Sequence, residues 1–220
     1  MSFSPHRVLL TTDIVLFTIQ QERLKVLLVR RASAPFKGCW ALPGGFVQDG
    51  ESLGDCARRE LLEETGVDEA YLEQLYTFGD PDRDPRGRVV TVAYFALVRS
   101  DNLILEAATD ADAAAWFPAI ELPDLAFDHA EILQVARDRL SAKVEYSTIA
   151  FQFLPEEFTL SQAQTVHEAV LGRTLDKRNF RTALNARKLV KGTGRKYQDG
   201  MGRPAELFRL NSDEPVQILK

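Results

Sequence analysis

Four glutamates and the guanidinium of Arg59 stand out in the stretch Gly45–Val67, GFVQDGESLGDCARRELLEETGV. If this stretch is helical after Ser52, Glu60 and Glu64 stand about 40° apart around the axis at 3.6 residues per turn. Glu63 lies about 60° to the other side of Glu60 by the same geometry, and Glu51 stands just before the helix starts. At ~4 Å and an effective dielectric near 20, each like-charged pair costs roughly 4 kcal/mol. Protonation or a bound cation must relieve that repulsion, and carboxylate oxygens favour hard ions such as Mg2+ or Mn2+. Arg59 precedes Glu63 by one turn and can orient its carboxylate. Gly44 and Gly45 let the backbone approach a metal closely. Glutamates beside arginines more often make a solvated helix face. Here the acidic side overlaps the one carrying Leu53, Cys56 and Ala57, so it need not face open solvent.

The elements that must hold these groups follow from pattern. Residues 8–19 and 24–29 are rich in Val, Leu and Ile and predict strands. Pro43-Gly44-Gly45 breaks the next strand, 40–47, with a tight bend. Ser52 is a candidate N-cap for a helix over 52–65, Asp55 follows three residues on, and Gly66 sits where the chain leaves the helix. Strands are expected at 71–78 and 89–98, a short apolar stretch ends at Trp116-Phe117, and helical spacing returns over 128–142. Strands around one helix with a second helix closing the unit make a mixed α/β domain, drawn here at residues 1–145. The connection, 142–157, holds Ile149, Phe151, Phe153 and Leu154 and reads as packed chain. Thr159-Leu-Ser-Gln162 matches a capping box and opens a helix ended by Gly172; Asp176 can cap a second helix to about Lys188. Two short helices around a tight turn, then strands 189–197 and 205–210 about a turn at 198–204, predict a winged helix over 155–220.

Hydrophobic residues make up 45% of the 220, enough for real cores, and no apolar run reaches the length of a membrane span. The two cysteines, Cys39 and Cys56, are not in CxxC spacing, which disfavours a disulfide framework or zinc site and points to a reducing cytoplasm. Net charge is −5, yet Arg173–Arg209 holds 11 basic and 3 acidic residues. The remainder of the chain is correspondingly acidic, so the two halves suit different partners. In the second half Phe180 and Leu184 would anchor a recognition helix, with Arg178 and Arg181 turned away from that anchor and Lys177 reaching out beside it. Asn179 can bond an adenine edge, and the arginines guanine or phosphate. Lys191, Arg195 and Lys196 would meet phosphates from the wing. A winged helix can also contact protein instead of double-stranded DNA.

The stretch 45–67 satisfies every fixed position of G-x5-E-x7-R-E-U-x-E-E-x-G-U through Gly45, Glu51, Arg59, Glu60, Leu61, Glu63, Glu64, Gly66 and Val67. It resembles the box of the Nudix hydrolases, and the resemblance extends over residues 8–143. The resemblance implies an α/β/α sandwich with a mixed sheet, and Mg2+- or Mn2+-dependent cleavage of a nucleoside diphosphate linked to another group. It implies Glu60 and Glu64 as main metal ligands, with Glu63 and Gly45 helping. The general base comes from the box, as Glu60 or Glu63, or from a later loop, where Asp110 and Asp112 are candidates. The segment Gly79–Arg88, GDPDRDPRGR, resembles an ADP-ribose-binding loop, with Arg83, Arg86 and Arg88 available for phosphate. Trp40 and Phe46 read more simply as core than as base-stacking groups, and His6, His129 and His167 as structural.

A Nudix domain followed by LGRTLDKRNFR and a GRPAELFRL strand resembles the Nudix-related transcriptional regulators of NAD metabolism. That implies a homodimer that senses ADP-ribose or a related nucleoside diphosphate derivative and binds operator DNA. Many such regulators have a degenerate box, whereas this one is intact. Three readings remain: a hydrolase of ADP-ribose to AMP and ribose 5-phosphate that also binds DNA, a non-catalytic ADP-ribose-sensing repressor, and a plain hydrolase with a docking or dimerisation domain.

Overall fold

Strand β1 (Leu9–Gln20) is buried on both faces from Thr11 to Thr18, which places it at the centre of a sheet covered on both sides. The computed structural model describes residues 8–102, 114–198 and 204–219. Beside β1 lie β2 (Arg23–Arg30), β3 (Trp40–Ala41), β4 (Gly44–Phe46), β5 (Tyr71–Phe78), β6 (Val89–Leu97) and β7 (Ala114–Pro118). They form a seven-stranded sheet of order β3-β2-β1-β6-β5, with β4 added to β1 and β7 to β2. The β1–β6 pair is parallel and β5–β6 antiparallel, so the sheet is mixed. The bend expected at Pro43 separates β3 from β4 and sends β4 back antiparallel along Thr11–Asp13.

Helix α1 (Leu53–Thr65) starts at Ser52, whose side chain accepts the Asp55 N–H, and ends at Gly66 in the left-handed region, φ 71°. Its Ala57 and Leu61 pack against Ile14, Leu16, Val92, Tyr94 and Ala96. By strand alternation the opposite sheet face carries Val15, Phe17, Ala93 and Phe95, all buried as well. Helix α2 (His129–Tyr146) buries Ile132, Leu133, Ala136 and Leu140. It runs four residues beyond the expected end at 142, because nothing in that stretch stops a helix until the Ser147 hydroxyl caps the Lys143 carbonyl at 2.6 Å.

Contacts divide the chain into two units. The first comprises Met1–Phe17 and Lys25–Asp138; the second comprises Thr18–Leu24 and Arg139–Lys220. The division falls inside α2, where the sequence suggested a boundary after residue 145. In the second unit the connection packs as expected: Ile149, Phe151, Phe153 and Leu154 are buried, the first three in a 3-10 segment, Ile149–Phe153. Helix α3 (Leu160–Leu171) has both halves of the Thr159–Gln162 capping box and ends at Gly172. Helix α4 (Lys177–Ala186) is capped by Asp176. Strands β8 (Val190–Tyr197) and β9 (Ala205–Leu210) form an antiparallel hairpin with a bulge between Gly192 and Lys196. A line of rings, Phe158–Phe151–His167–Phe180, joins the 3-10 segment to α3 and α4, with centroids 5.0–5.5 Å apart. The sequence-expected wing turn at 198–204 lies mostly outside the described residues. Among the described residues no helix is long and apolar enough to cross a membrane.

Candidate functional site

The short β4 strand and helix α1 bring the box glutamates to one stretch of backbone. The Gly44 N–H donates to Glu64 Oε2 at 2.9 Å. A Cβ on Gly45 would stand 2.2 Å from Glu60 Oε1, so the Glu60 carboxylate rests directly on that glycine. Arg59 is the hub beneath. It donates to Glu51 Oε1 at 2.8 Å, to Glu60 at 2.7 Å, to Glu63 at 3.2 Å and to the Phe46 carbonyl at 3.3 Å. The Arg59 hydrogen bonds hold the Glu51 carboxyl down at about 2 and keep the Arg59 guanidinium firmly charged. Glu64 behaves oppositely. It retains solvent-accessible surface, but protein atoms crowd its carboxyl. That desolvation, with the charges of Glu60 and Asp13, pushes it up to about 7 despite the Gly44 hydrogen bond.

Two carboxylates resting on a glycine backbone, one already short of counter-charge, suit a hard divalent cation. The sequence expectation that three glutamates converge is not met. The Glu63 side chain is 59% exposed and drawn to Arg59, and among the described residues no three His, Cys, Asp or Glu side chains are grouped for a metal. Asp110 and Asp112 lie outside the described residues.

Beside these glutamates a pocket of about 230 Å3 is lined by Gly44, Gly45 and groups from β1, the Gly79–Arg88 loop and the start of α2. The three loop arginines do three different things. Arg83 is 4% exposed and makes a two-pronged bond to Asp128 at 2.6 and 2.7 Å, plus a longer contact to Asp13 at 3.4 Å. Burial alone would lower its pKa, but these carboxylates outweigh it and raise it. Its Nε and one Nη hold the loop to Asp128 and Asp13 while the side chain still lines the pocket, so it meets a ligand as an already paired cation. Arg88 donates to the Gly79 carbonyl and is not among the lining residues, because the loop closes on itself there. Arg86 does line the pocket, paired with the buried Asp84 at 2.6 Å.

Sequence reasoning missed several groups. Arg31 stacks 4.7 Å from the Phe127 ring centroid, and Arg86 lies 5.5 Å from Phe127 and 5.2 Å from Phe46. Burial, then the charge of Arg86, lowers the Arg31 pKa. Phe46, read as core, is 41% exposed in this lining. Trp40 does pack, edge-on against Phe117 at 4.9 Å. His129, read as structural, accepts the Leu42 N–H at Nδ1 (2.9 Å) and also lines the pocket, its Nε2 3.7 Å from Asp13. The one signal available was Asp13, a charge inside an apolar strand, which proves buried.

In the second unit Lys177, Arg178 and Asn179 are exposed on the first turn of α4, and Lys191 and Lys196 are exposed on β8. Two expectations change. Arg181 is half-buried, its Nε enclosed without a hydrogen-bond partner, so it does not turn wholly away from the Leu184 anchor. Arg195 is ion-paired with Glu157, which also accepts from Arg209 at 2.9 Å, so its charge is answered in part within the unit although the side chain stays exposed.

The NUDIX domain family profile matches residues 9–136, well over half of the chain. This chain belongs to the Nudix family. Its second unit, over residues 150–210, matches the NrtR DNA-binding winged helix domain. The Nudix chain is 40% identical over 206 residues to the ADPR responsive transcriptional repressor NtrR of Acinetobacter baylyi, covering 92% of this chain and 82% of that one. Its Nudix domain is 44% identical over 110 residues to an ADP-ribose pyrophosphatase of Methanocaldococcus jannaschii, covering 50% and 64% of the two chains. The crystal structure of Shewanella oneidensis NrtR complexed with a 27mer DNA superposes with a TM-score of 0.81 at 42% identity, covering 91% of this chain and 93% of that one.

Proposed function

We propose that this Nudix protein is an ADP-ribose-responsive, DNA-binding transcriptional regulator whose Nudix domain retains divalent-metal-dependent hydrolysis of ADP-ribose. The products are AMP and ribose 5-phosphate: water adds at one phosphorus and one P–O bond of the diphosphate breaks. The observation that carries the catalytic half is the seating of Glu60 and Glu64 on the Gly44–Gly45 backbone, at the edge of a pocket lined by arginine and phenylalanine. Similarity to an ADP-ribose pyrophosphatase and to an ADPR responsive repressor supports the ligand.

Glu60 and Glu64, with Gly45, would hold Mg2+ or Mn2+, and Glu63, on the same helix, would assist only after leaving Arg59. Such an ion, when bound, neutralises diphosphate charge and lowers the pKa of a nucleophilic water. Arg59 fixes the Glu60 carboxylate against Gly45 and ties Glu51 and Glu63 to the same hub. Glu60 or Glu63 supplies the base from within the box, unless a late-loop aspartate does so. On the DNA side, Lys177, Arg178 and Asn179 open the recognition helix, with Lys191 and Lys196 on the wing for phosphates. Cytoplasmic action as a homodimer completes the reading.

Turnover and DNA binding on one preparation test both halves. Wild-type protein with Mg2+ should release AMP from ADP-ribose. Glu64→Gln should slow release by at least ~10²-fold, since metal clamping supplies several kcal/mol to the transition state. It should leave an electrophoretic shift of promoter DNA intact. No Mg2+-dependent release from a panel of nucleoside diphosphate sugars would end the catalytic half. It would leave the ligand-sensing repressor, the reading that the exposed Glu63 favours.

A further inference from the structure

The pocket beside the box holds three guanidiniums that differ in how far their charge is already answered. Arg83 is buried and paired with both Asp128 and Asp13. Arg86 is held by Asp84 but remains 39% exposed. Arg31, just past the end of β2, has no carboxylate within salt-bridge distance among the described residues, and only its Nε is engaged, donating to the Pro35 carbonyl at 2.8 Å. Arg31 and Arg86 nonetheless gather on the same ring, Phe127. Two like charges drawn together in a partly desolvated pocket repel each other; the aromatic face and the carboxylates of Asp84, Glu64 and Asp13 offset part of that cost, and a bound anion would offset more.

We propose that Arg31 and Arg86, gathered on Phe127, form the anion-binding pair of this pocket and take the phosphate oxygens of an organic diphosphate. The inference rests on the ADP-ribose reading above, and it moves phosphate recognition from Arg83 and Arg88 to a residue outside the Gly79–Arg88 loop. The guanidinium fork matches phosphate geometry with two parallel hydrogen bonds, and the ring beneath fixes its plane. Asp84 holds Arg86 in position from behind. Phe127 is itself set, in the left-handed region at φ 54°, immediately before Asp128, which Arg83 clamps. Arg83 is thus a positioning residue for this ring. The pocket, at about 230 Å3, is smaller than the ~300–1,000 Å3 of sites that enclose a drug-sized ligand. It therefore suits the phosphate-bearing part of a nucleoside diphosphate, with the rest of the molecule outside. Gly44 and Gly45 lie in the same lining, so that part would sit beside the box glutamates.

The test is calorimetric titration of the full-length protein in EDTA, with ADP-ribose and with inorganic pyrophosphate as separate probes. Arg31→Gln should weaken both by at least tenfold and flatten the salt dependence of binding, and Arg31→Lys should recover part of each. Binding by Arg31→Gln within twofold of wild type would overturn the assignment. In case the variant folds poorly, phenylglyoxal labelling of wild-type protein, read by mass spectrometry, gives a second route. Arg31 should react when free and be protected by saturating pyrophosphate, and equal labelling in both states would overturn the assignment. Wild-type protein that binds pyrophosphate through Arg31 but ignores ADP-ribose would preserve the anion site and sink the functional reading instead.

Discussion

Gly44 and Gly45 are adjacent yet constrained by different things. A Cβ at Gly44, φ 155°, would meet the Thr12 carbonyl oxygen at 2.2 Å, which is backbone and cannot move aside. At Gly45 the obstacle is the end of the Glu60 side chain, which can. Gly44→Ala should therefore cost stability, about 1–3 kcal/mol or more, as overpacking does. Gly45→Ala should melt near the wild-type temperature but lose Mg2+-dependent turnover by ~10²-fold, because the displaced Glu60 carboxylate carries several kcal/mol of metal clamping. A thermal scan beside a rate assay distinguishes the two. Arg83 gives a second contrast. Its side chain is 4% exposed between Asp128 and Asp13. Arg83→Ala strands the buried Asp13 and the half-buried Asp128 and should lower unfolding free energy by ~3–5 kcal/mol. Arg88→Ala, at an exposed loop contact, should stay within about 0.5 kcal/mol. Equal denaturation midpoints for the two variants would contradict the positioning role of Arg83.

Among the elements of the second unit, helix α3 carries a buried imidazole at its centre. His167 donates from Nδ1 to the Ala163 carbonyl at 2.7 Å and lies edge-on to Phe151 and to Phe180 of α4. Burial lowers its pKa, and the Ala163 hydrogen bond opposes this only in part. The folded-state pKa is depressed, so the ring is neutral in both states above its unfolded value of ~6.5. Below that pH the unfolded chain takes up a proton that the folded unit refuses. Stability should therefore fall as pH drops from about 6.5, until the lowered folded pKa is reached. His129 is depressed by burial in the same sense and adds to the slope. His167→Phe keeps the ring packing and should flatten part of the loss between pH 6.5 and 5 in urea titrations. A slope unchanged by that substitution would show that His167 does not contribute it.

At the scale of the whole molecule, the proposed function has the acidic and basic halves of the chain meet different ligands, and such a regulator must link them. Helix α2 begins at His129, which lines the pocket, and belongs to the first unit up to Asp138 and to the second from Arg139. Coupling between sites of this kind is typically ~1–3 kcal/mol, or about 5–150-fold in affinity. ADP-ribose held uncleaved by Glu64→Gln should weaken DNA binding within that range, and linkage requires DNA to weaken ADP-ribose binding by the same factor. Fluorescence anisotropy titrations of DNA with and without saturating ADP-ribose measure it, and superimposable curves would show no coupling. In wild-type protein with Mg2+ the effect should fade as the ligand is hydrolysed.

The features written in the sequence were those set by local geometry. Ser52, Gly66, Thr159, Gly172 and Asp176 mark the helix ends because capping is decided by a few neighbouring residues. The box placed Glu60 and Glu64 on one helix side for the same reason. Arg86 was legible as a phosphate candidate, but its grouping with Arg31, Phe46 and Phe127 was not, because the four come from separate stretches that only the sheet and the start of α2 bring together. The fates of Arg83 and Arg195 were likewise hidden. A sequence shows that an arginine carries charge, but its partners, Asp128 at a separation of 45 residues and Glu157 at 38, are chosen by the tertiary fold. For Arg83, 4% exposed, desolvation makes pairing obligatory, whereas Arg195, 63% exposed, is paired only at the surface; burial thus decides which cations remain free for a ligand.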